Sequence, residues 1–300
     1  MSIENRRVSI VVPTRNRSEL LLGLLENLDQ YGSQLIREVI IIDSSDNFLT
    51  FECFSDFKIT HLRSKNRSAA IQRNEGLDYL NSKFNRSIDI LMFLDDDVRI
   101  GSGYIENVID FFERNPEVIG YSGVTKESKP ASCSFPKKIF GLCSLPGQIS
   151  RGGINNPVGP FTKPNLRECA WLIGCSNWRY EVIENLRFES DFYGSSLFED
   201  VIFSHHATKL GKLVTNSELL LTHLQSSLER ENSYLHSQKI IINRYRIFTR
   251  FPNEFHMFNF WVASFGFLLG NIVQCMFNPS KESLGKLAGT ASGIRNLIRS

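Results

Sequence analysis

A chain of 300 residues with 42% hydrophobic content can bury a full core, as one large domain or one domain with an appendage, and is not a disordered segment. Its 34 Lys and Arg nearly cancel its 32 Asp and Glu, so the whole-molecule field gives no grounds for a nucleic-acid partner. The balance is uneven, however: residues 239–300 hold eight basic and two acidic residues, a net +6 that leaves −4 for the rest.

The N-terminus, MSIENRR before VSIVVPT, lacks the apolar core and cleavage site of a signal peptide, which predicts a cytoplasmic protein. Val8–Thr14, Glu38–Asp43, Lys58–Arg63 and Ile88–Leu94 are β-branched or apolar runs of strand length, the more continuous ones suited to burial on both faces. Helical patterns fill the gaps. Ser18 is placed to cap a helix with Leu20, Leu21, Leu24, Leu25 and Leu28 on one face and Gly32 beyond its end, and a second helix runs from about Ser68 to Leu80. Strands alternating with helices predict a mostly parallel sheet covered by helices.

Between Lys126 and Asn165 six prolines, with Gly and Ser, break regular structure, and a loop of this length is uncommon unless functional. An apolar segment (Cys169–Cys175), a helix from Glu199 to Leu210 and a short strand near Leu219–Leu224 follow. The stretch Phe255–Phe277 carries seven aromatics but also His256, Asn259, Ser264, Asn271 and Gln274, and basic residues flank it. Three options stay open for it: an interfacial helix on an anionic bilayer, a spanning helix, or a packed core helix. The six cysteines contain no Cys-x-x-Cys pair and read as reduced thiols. Asn-Arg-Ser at Asn16, Asn66 and Asn85 matches the glycosylation pattern, a coincidence in a cytoplasmic protein.

The strongest chemical feature is an apolar strand that stops on three carboxylates, Asp95, Asp96 and Asp97. Such acids raise one another's pKa unless a cation neutralises them, so an oxygen-liganded Mn²⁺ or Mg²⁺ is the natural partner, and the carboxyl ends of strands are where open α/β sheets bind ligands. A solvated acidic turn is the plainer alternative. Asp43 also ends a strand, where it could accept from a nucleobase N–H or simply cap a turn. Pro13, Thr14 and Arg17 bring hydroxyl and cationic donors to the same edge. Arg73 reads as a diphosphate contact, or as a surface arginine paired with Glu75 or another acid. Glu199 and Asp200 sit at a helix start, as dipole complements or as a base for an acceptor hydroxyl. His223 follows a short strand, with three readings open: a metal ligand, a diphosphate contact or a structural histidine.

In this order the motifs Val8-Ser-Ile-Val-Val-Pro-Thr-Arg-Asn-Arg, Glu38-Val-Ile-Ile-Ile-Asp, Arg73-Asn-Glu-Gly, Phe93-Leu-Asp-Asp-Asp and Glu199-Asp resemble family 2 glycosyltransferases, and bacterial polysaccharide rhamnosyltransferases in particular, over about Val8–Gln225. The resemblance implies a GT-A fold, with a Rossmann-like central sheet flanked by helices and a helical C-terminal appendage. It implies domains at 1–235 (donor half to about 125, acceptor half 126–235) and 236–300. It also implies inverting sugar transfer from a nucleotide-sugar to a glycan or lipid-linked hydroxyl; the basic and aromatic character of the tail, separately, is what suits it to touch the cytoplasmic face of the inner membrane. Carried over residue by residue, Pro13, Thr14 and Arg17 would join the nucleotide pocket, Asp43 would read the base, Arg73 would touch phosphate and Asp96 would face the ribose. Asp97 with Asp95 would hold the metal, His223 would lie near the diphosphate, and Asp200, or alternatively Glu199, would be the general base.

Two rivals are a sugar nucleotidyltransferase and a catalytically silent glycan-binding or scaffold subunit. The first should carry a Gly-rich loop after the first strand, where this chain reads Thr14-Arg-Asn-Arg-Ser.

Overall fold

The computed structural model describes residues 7–49, 55–83, 88–191, 197–224 and 232–299. Cys53, Asn85 and Gln225 lie outside the described residues. Two compact units form, one from residues 1–129 with 158–225, the other from 130–157 with 226–300. The proline-rich stretch, expected in the acceptor half, thus belongs largely to the helical unit.

The first unit is built on a sheet of nine strands: β1 (Val8–Thr14), β2 (Ile36–Asp43), β3 (Lys58–Arg63), β4 (Ile90–Phe93), β5 (Val98–Ile100), β6 (Val118–Thr125), β7 (Leu166–Glu168), β8 (Ser176–Arg179) and β9 (Lys212–His223). Eight lie in the order β3-β2-β1-β4-β8-β6-β9-β5, and β7 pairs with β9. The half made of β3, β2, β1 and β4 is parallel, as the alternating pattern predicts. The other half is mixed: β8 runs antiparallel to β4 and β6, and β5 and β7 run antiparallel to β9. Within it β6 and β9 pair in parallel, so the antiparallel pairs are those made by β8, β5 and β7.

The strands are apolar because both faces are covered. β1 and β2 are buried along their whole length, with α1 (Ser18–Gly32) contributing Leu21, Leu24, Leu25 and Leu28 to the core beneath them. α1 starts at Ser18 but is capped by Arg17, without a side-chain cap, and Gly32 closes its last turn rather than following it. The Ser18 cap is thus corrected. α2 (Ala69–Lys83) begins after Ser68, whose carbonyl accepts from Gln72, and α3 (Tyr104–Arg114) packs a strongly amphipathic face through Ile105, Val108 and Phe112. α5 (Tyr180–Ile183) and α6 (Glu199–Ala207) complete the cover.

In the second unit α7 (Ser233–Arg250), α8 (Met257–Phe277) and α9 (Lys281–Arg299) pack with α4 (Phe135–Ile139) and its loop. Gly289 of α9 lies so close to α7 that a Cβ there would meet the Tyr234 carbonyl oxygen at 2.1 Å. Arg244 of α7 is fully buried, its guanidinium 4.7 Å from the Phe260 ring centre and 5.0 Å from that of Phe267. Burial pulls its pKa down to about 9. Cys133 and Cys143 form a disulfide, with Cα atoms 5.6 Å apart, which overturns the expectation that every thiol is reduced. Their ten-residue separation held no pairing motif, and the turn of α4 brings them together.

Gly76 sets how closely α2 approaches the sheet: a Cβ there would fall 2.5 Å from Val11 Cγ1 and 2.9 Å from Cγ2. Gly76→Ala is expected to lower stability by about 1–3 kcal/mol through overpacking. An unchanged denaturation midpoint would show that the helix shifts at no cost.

Candidate active site

Three elements end at one edge of the first unit, the carboxyl edge of β1, β2 and β4. β1 delivers Thr14, followed by Arg17 at the start of α1. Pro13 is buried within β1 opposite Ile42 and shapes the strand end without reaching the acids. β2 delivers Asp43, and β4 delivers Asp95, Asp96 and Asp97. Gln72 of α2 ties the first two ends together, donating to the carbonyls of Thr14 (3.0 Å) and Ile42 (2.5 Å).

The triple aspartate is not a free acidic turn. Asp96 is 3% exposed and accepts from Thr14 Oγ1 at 2.7 Å and Arg17 Nη1 at 3.1 Å. Burial pushes its pKa up to about 6 against the pull of Thr14 and Arg17, with Asp97 adding to the rise. Arg17 also reaches Asp97 Oδ2 at 3.1 Å, so one guanidinium bridges two of the acids. Asp97 is held above the ordinary carboxylate range by burial and by Asp95, with His223 and Arg17 opposing.

His223 arrives from the far end of the chain because β9 pairs with β5, which sets His223 opposite Val98. Its Nε2 lies 3.3 Å from Asp97 Oδ1, an oxygen that is buried and accepts no hydrogen bond. That orphaned oxygen, facing an imidazole, has the donor chemistry of a divalent-cation site. Among the described residues no three His, Cys, Asp or Glu side chains are already gathered around one point. Sites that share a cation with substrate phosphates commonly use one or two carboxylates only, so Asp97 and His223 fit such a group. Asp95 is engaged elsewhere.

Arg73 takes Asp95. The guanidinium is 3% exposed and donates Nη2 to Asp95 Oδ1 at 2.8 Å and Nη1 to Glu199 Oε1. It lies over the Phe188 ring at 5.4 Å. Burial pulls its pKa down, but Glu199 and Asp95 outweigh that and hold it above its ordinary value. The acids paired with Arg73 are thus Asp95 and Glu199 rather than Glu75, which accepts from Asn66. Arg73 is an internal clamp between β4 and α6.

Asp200 follows Glu199 in the first turn of α6, where the helix dipole favours an acid. Its Oδ1 accepts from the Val201 backbone N–H at 2.8 Å, and the side chain keeps partial access to solvent. Burial raises its pKa to about 6 although Arg73 pulls the other way. Phe198 precedes it with a φ of 73°, a left-handed conformation unusual for an aromatic residue.

Asp43 is fully buried. Its oxygens accept from the backbone N–H groups of Ser45 (2.8 Å) and Leu49 (2.9 Å), and His61 Nε2 lies 3.2 Å away. Burial alone would raise its pKa, but these bonds together hold it below the ordinary value. In this structure Asp43 organises the loop after β2, the turn-capping alternative. Sequence reading did not single out Gln72, His61, Phe188 or Asn74, which exchanges hydrogen bonds with the Phe188 backbone at 2.8 Å. Cys175 Sγ lies 3.6 Å from Asp95 Oδ2, and a Cβ on Gly174 would be 3.1 Å from Arg73 Nη2.

Residues 9–165 match the profile described as Glycosyl transferase family 2, just over half of the chain. A Haemophilus influenzae protein described as an uncharacterized glycosyltransferase is 33% identical over 112 residues, which span 37% of this chain and 36% of that relative. Among solved structures, mannosyltransferase PcManGT from Pyrobaculum calidifontis, in complex with GDP-Man and Mn²⁺, superposes with a TM-score of 0.56 at 13% identity, over 99% of this chain and 88% of the other. S. aureus TarS 1-349, in complex with UDP-GlcNAc, does so at 0.52 and 12%, over 97% and 92%. At these identities the structures establish a shared GT-A-like fold, a central sheet flanked by helices with a C-terminal helical region.

Removing the clamp leaves Glu199 buried against an unneutralised Asp95. Arg73→Gln is expected to cost about 3–5 kcal/mol in denaturant unfolding. A loss below about 1 kcal/mol would mean that the ion pairs do not hold β4 and α6 together.

Proposed function

The chain belongs to glycosyl transferase family 2, and from that premise we propose that the edge described above moves a sugar from a nucleoside-diphosphate-sugar to an acceptor hydroxyl with inversion at the anomeric carbon. The observation that carries the reading is the Arg73 clamp. It ties Asp95 of the triple-aspartate edge to Glu199, so that Asp200 in the next position borders the same site.

Asp200 acts as the base. A carboxylate whose pKa is raised to about 6 is mostly ionised near neutral pH yet holds a proton more firmly than a solvated one, which suits it to accept the acceptor's hydroxyl proton as that oxygen attacks. The displacement is single and in line, so no sugar–enzyme bond forms and configuration inverts. Arg17, partly exposed beside Asp96 and Asp97, is the cation best placed to meet the diphosphate. Thr14 and Asp96 shape the ribose side, while Asp43, through its loop, shapes the base pocket. Asp97 and His223 would hold a Mn²⁺ or Mg²⁺ ion, and Asp95, whose Oδ1 accepts from Arg73, would offer its Oδ2. Bound there, the ion would supply neutralising charge for the departing diphosphate. The motif resemblance to rhamnosyltransferases supports trying dTDP-linked sugars beside UDP- and GDP-sugars, and a glycan or lipid-linked hydroxyl as acceptor.

A thermal-shift screen of those donors with Mn²⁺, Mg²⁺ or chelator tests the donor site, because a ligand bound only by the folded state raises Tm. One nucleotide family is expected to stabilise, dependent on the cation, and Asp97→Ala to abolish the cation-dependent part. No shift with any donor in folded protein would favour a silent module instead.

Asp200→Asn is expected to reduce kcat by roughly 10²–10⁴-fold while sparing donor affinity. Near wild-type turnover would remove Asp200 from the role.

The pH dependence has a definite sign. The folded-state value of about 6 lies above the ordinary 3.8, so the native protein binds a proton more tightly than the unfolded chain. The stability contributed by this group is full below the ordinary value and is lost as pH rises through about 6, while the ionised base accumulates over the same interval. kcat is expected to rise through that window, and the acidic limb should vanish from the residual rate of Asp200→Asn.

A further inference from the structure

The second unit carries charge and apolar surface in a combination that the sugar-transfer site does not use. Residues 130–157 and 226–300 contain twelve Lys or Arg and four Asp or Glu, a net +8, leaving −6 for the first unit. Within this unit α8 has no charged residue over its 21 positions. Only its N-terminal half is deeply packed, through Phe260, Ala263, Ser264 and Gly266. At about 100° per residue, Phe258, Phe265, Leu269, Val273, Met276 and Phe277 fall on one side of the helix. All six are exposed, from 36% at Leu269 to 85% at Phe277. The short helix α4 adds to this surface: Phe140, just past its end, contacts the Phe265 ring at 6.3 Å, and Phe135 and Ile139 stand 75% and 51% exposed beside Lys137 and Lys138.

A long charge-free aromatic stripe, a second apolar tip and a strongly positive surround match the two attractions of an anionic bilayer, burial of apolar side chains and neutralisation of lipid charge. We propose that this face docks on an anionic lipid surface, with α8 lying in the interface rather than crossing it. Length and composition alone would permit a span. The neighbours of α8 forbid it. Arg244 of α7 packs on Phe260 and Phe267, and Asn271 reaches the Lys286 carbonyl and Thr290 on α9, so both flanking helices run beside α8. A span would carry charged residues that lie alongside α8, including Arg244 and Lys286, into hydrocarbon.

The test is co-sedimentation of the full chain with phosphatidylcholine vesicles, with and without phosphatidylglycerol, at low and high salt, alongside its mass by sedimentation equilibrium. Binding is expected only with the anionic lipid and to weaken with salt. The combined variant Phe258→Ser, Val273→Ser, Met276→Ser, Phe277→Ser is expected to lose about tenfold or more in partitioning. A charge-reversed pair, Lys137→Glu with Lys138→Glu, is expected to lose several-fold with its helical circular dichroism intact, and decides the matter if the serine variant does not fold. Wild-type protein that ignores anionic vesicles, or variants that partition like it, overturns the proposal. So does a dimer that the same substitutions dissociate, which would assign the stripe to a second copy of the chain.

Discussion

A guanidinium with 3% exposure has to be compensated where it stands, and Arg73 is compensated from two directions at once, by Asp95 after β4 and by Glu199 at the start of α6. An arginine left alone in that position would be costly, so the native position of each acid depends on the other. The surrounding packing serves this arrangement. Gly76 lets α2 lie against Val11, which sets the depth of Arg73, and Phe188 offers its ring to the guanidinium. Asn74 fixes the Phe188 backbone in turn. A sheet edge and a helix more than 100 residues apart in sequence are thereby locked into one site.

The same clamp divides labour among the acids. Asp95 and Glu199 are committed to structure, while Asp96 is held by Thr14 and Arg17. Asp97 keeps one buried oxygen without a hydrogen bond, and Asp200 keeps partial access to solvent. Desolvation acts on both of those positions, where chemistry can make use of it. Burial raises the pKa of both, so each is a group whose charge the folded protein tolerates rather than favours until a cation or a proton arrives.

The second unit is organised on a different principle. Small residues on α9 allow close helix packing, and Arg244 is buried between aromatic rings rather than beside an acid. Cys133 and Cys143 then fasten the loop that carries the exposed Phe135. The apolar surface left over, from Phe258 to Phe277 along α8, is exposed.

What could be read from the chain alone was local in origin. Strands buried on both faces appear as unbroken β-branched runs, the end of one such strand at the ligand-binding edge appears as Asp95-Asp96-Asp97, and the order of short motifs identified the family. Partnerships across the sheet had no local trace. β9 carries His223 to Asp97 only because it pairs with β5, and the pairing of Arg73 with Glu199 had no local sign until α6 supplied the acid. The mixed half of the sheet, the turn-capping role of Asp43, the Cys133–Cys143 bond and the joining of 130–157 to the C-terminal helices were decided in the same way. Each is a contact between segments whose sequences are individually unremarkable, and burial of charge and apolar area in three dimensions selects it from the alternatives that local pattern leaves open.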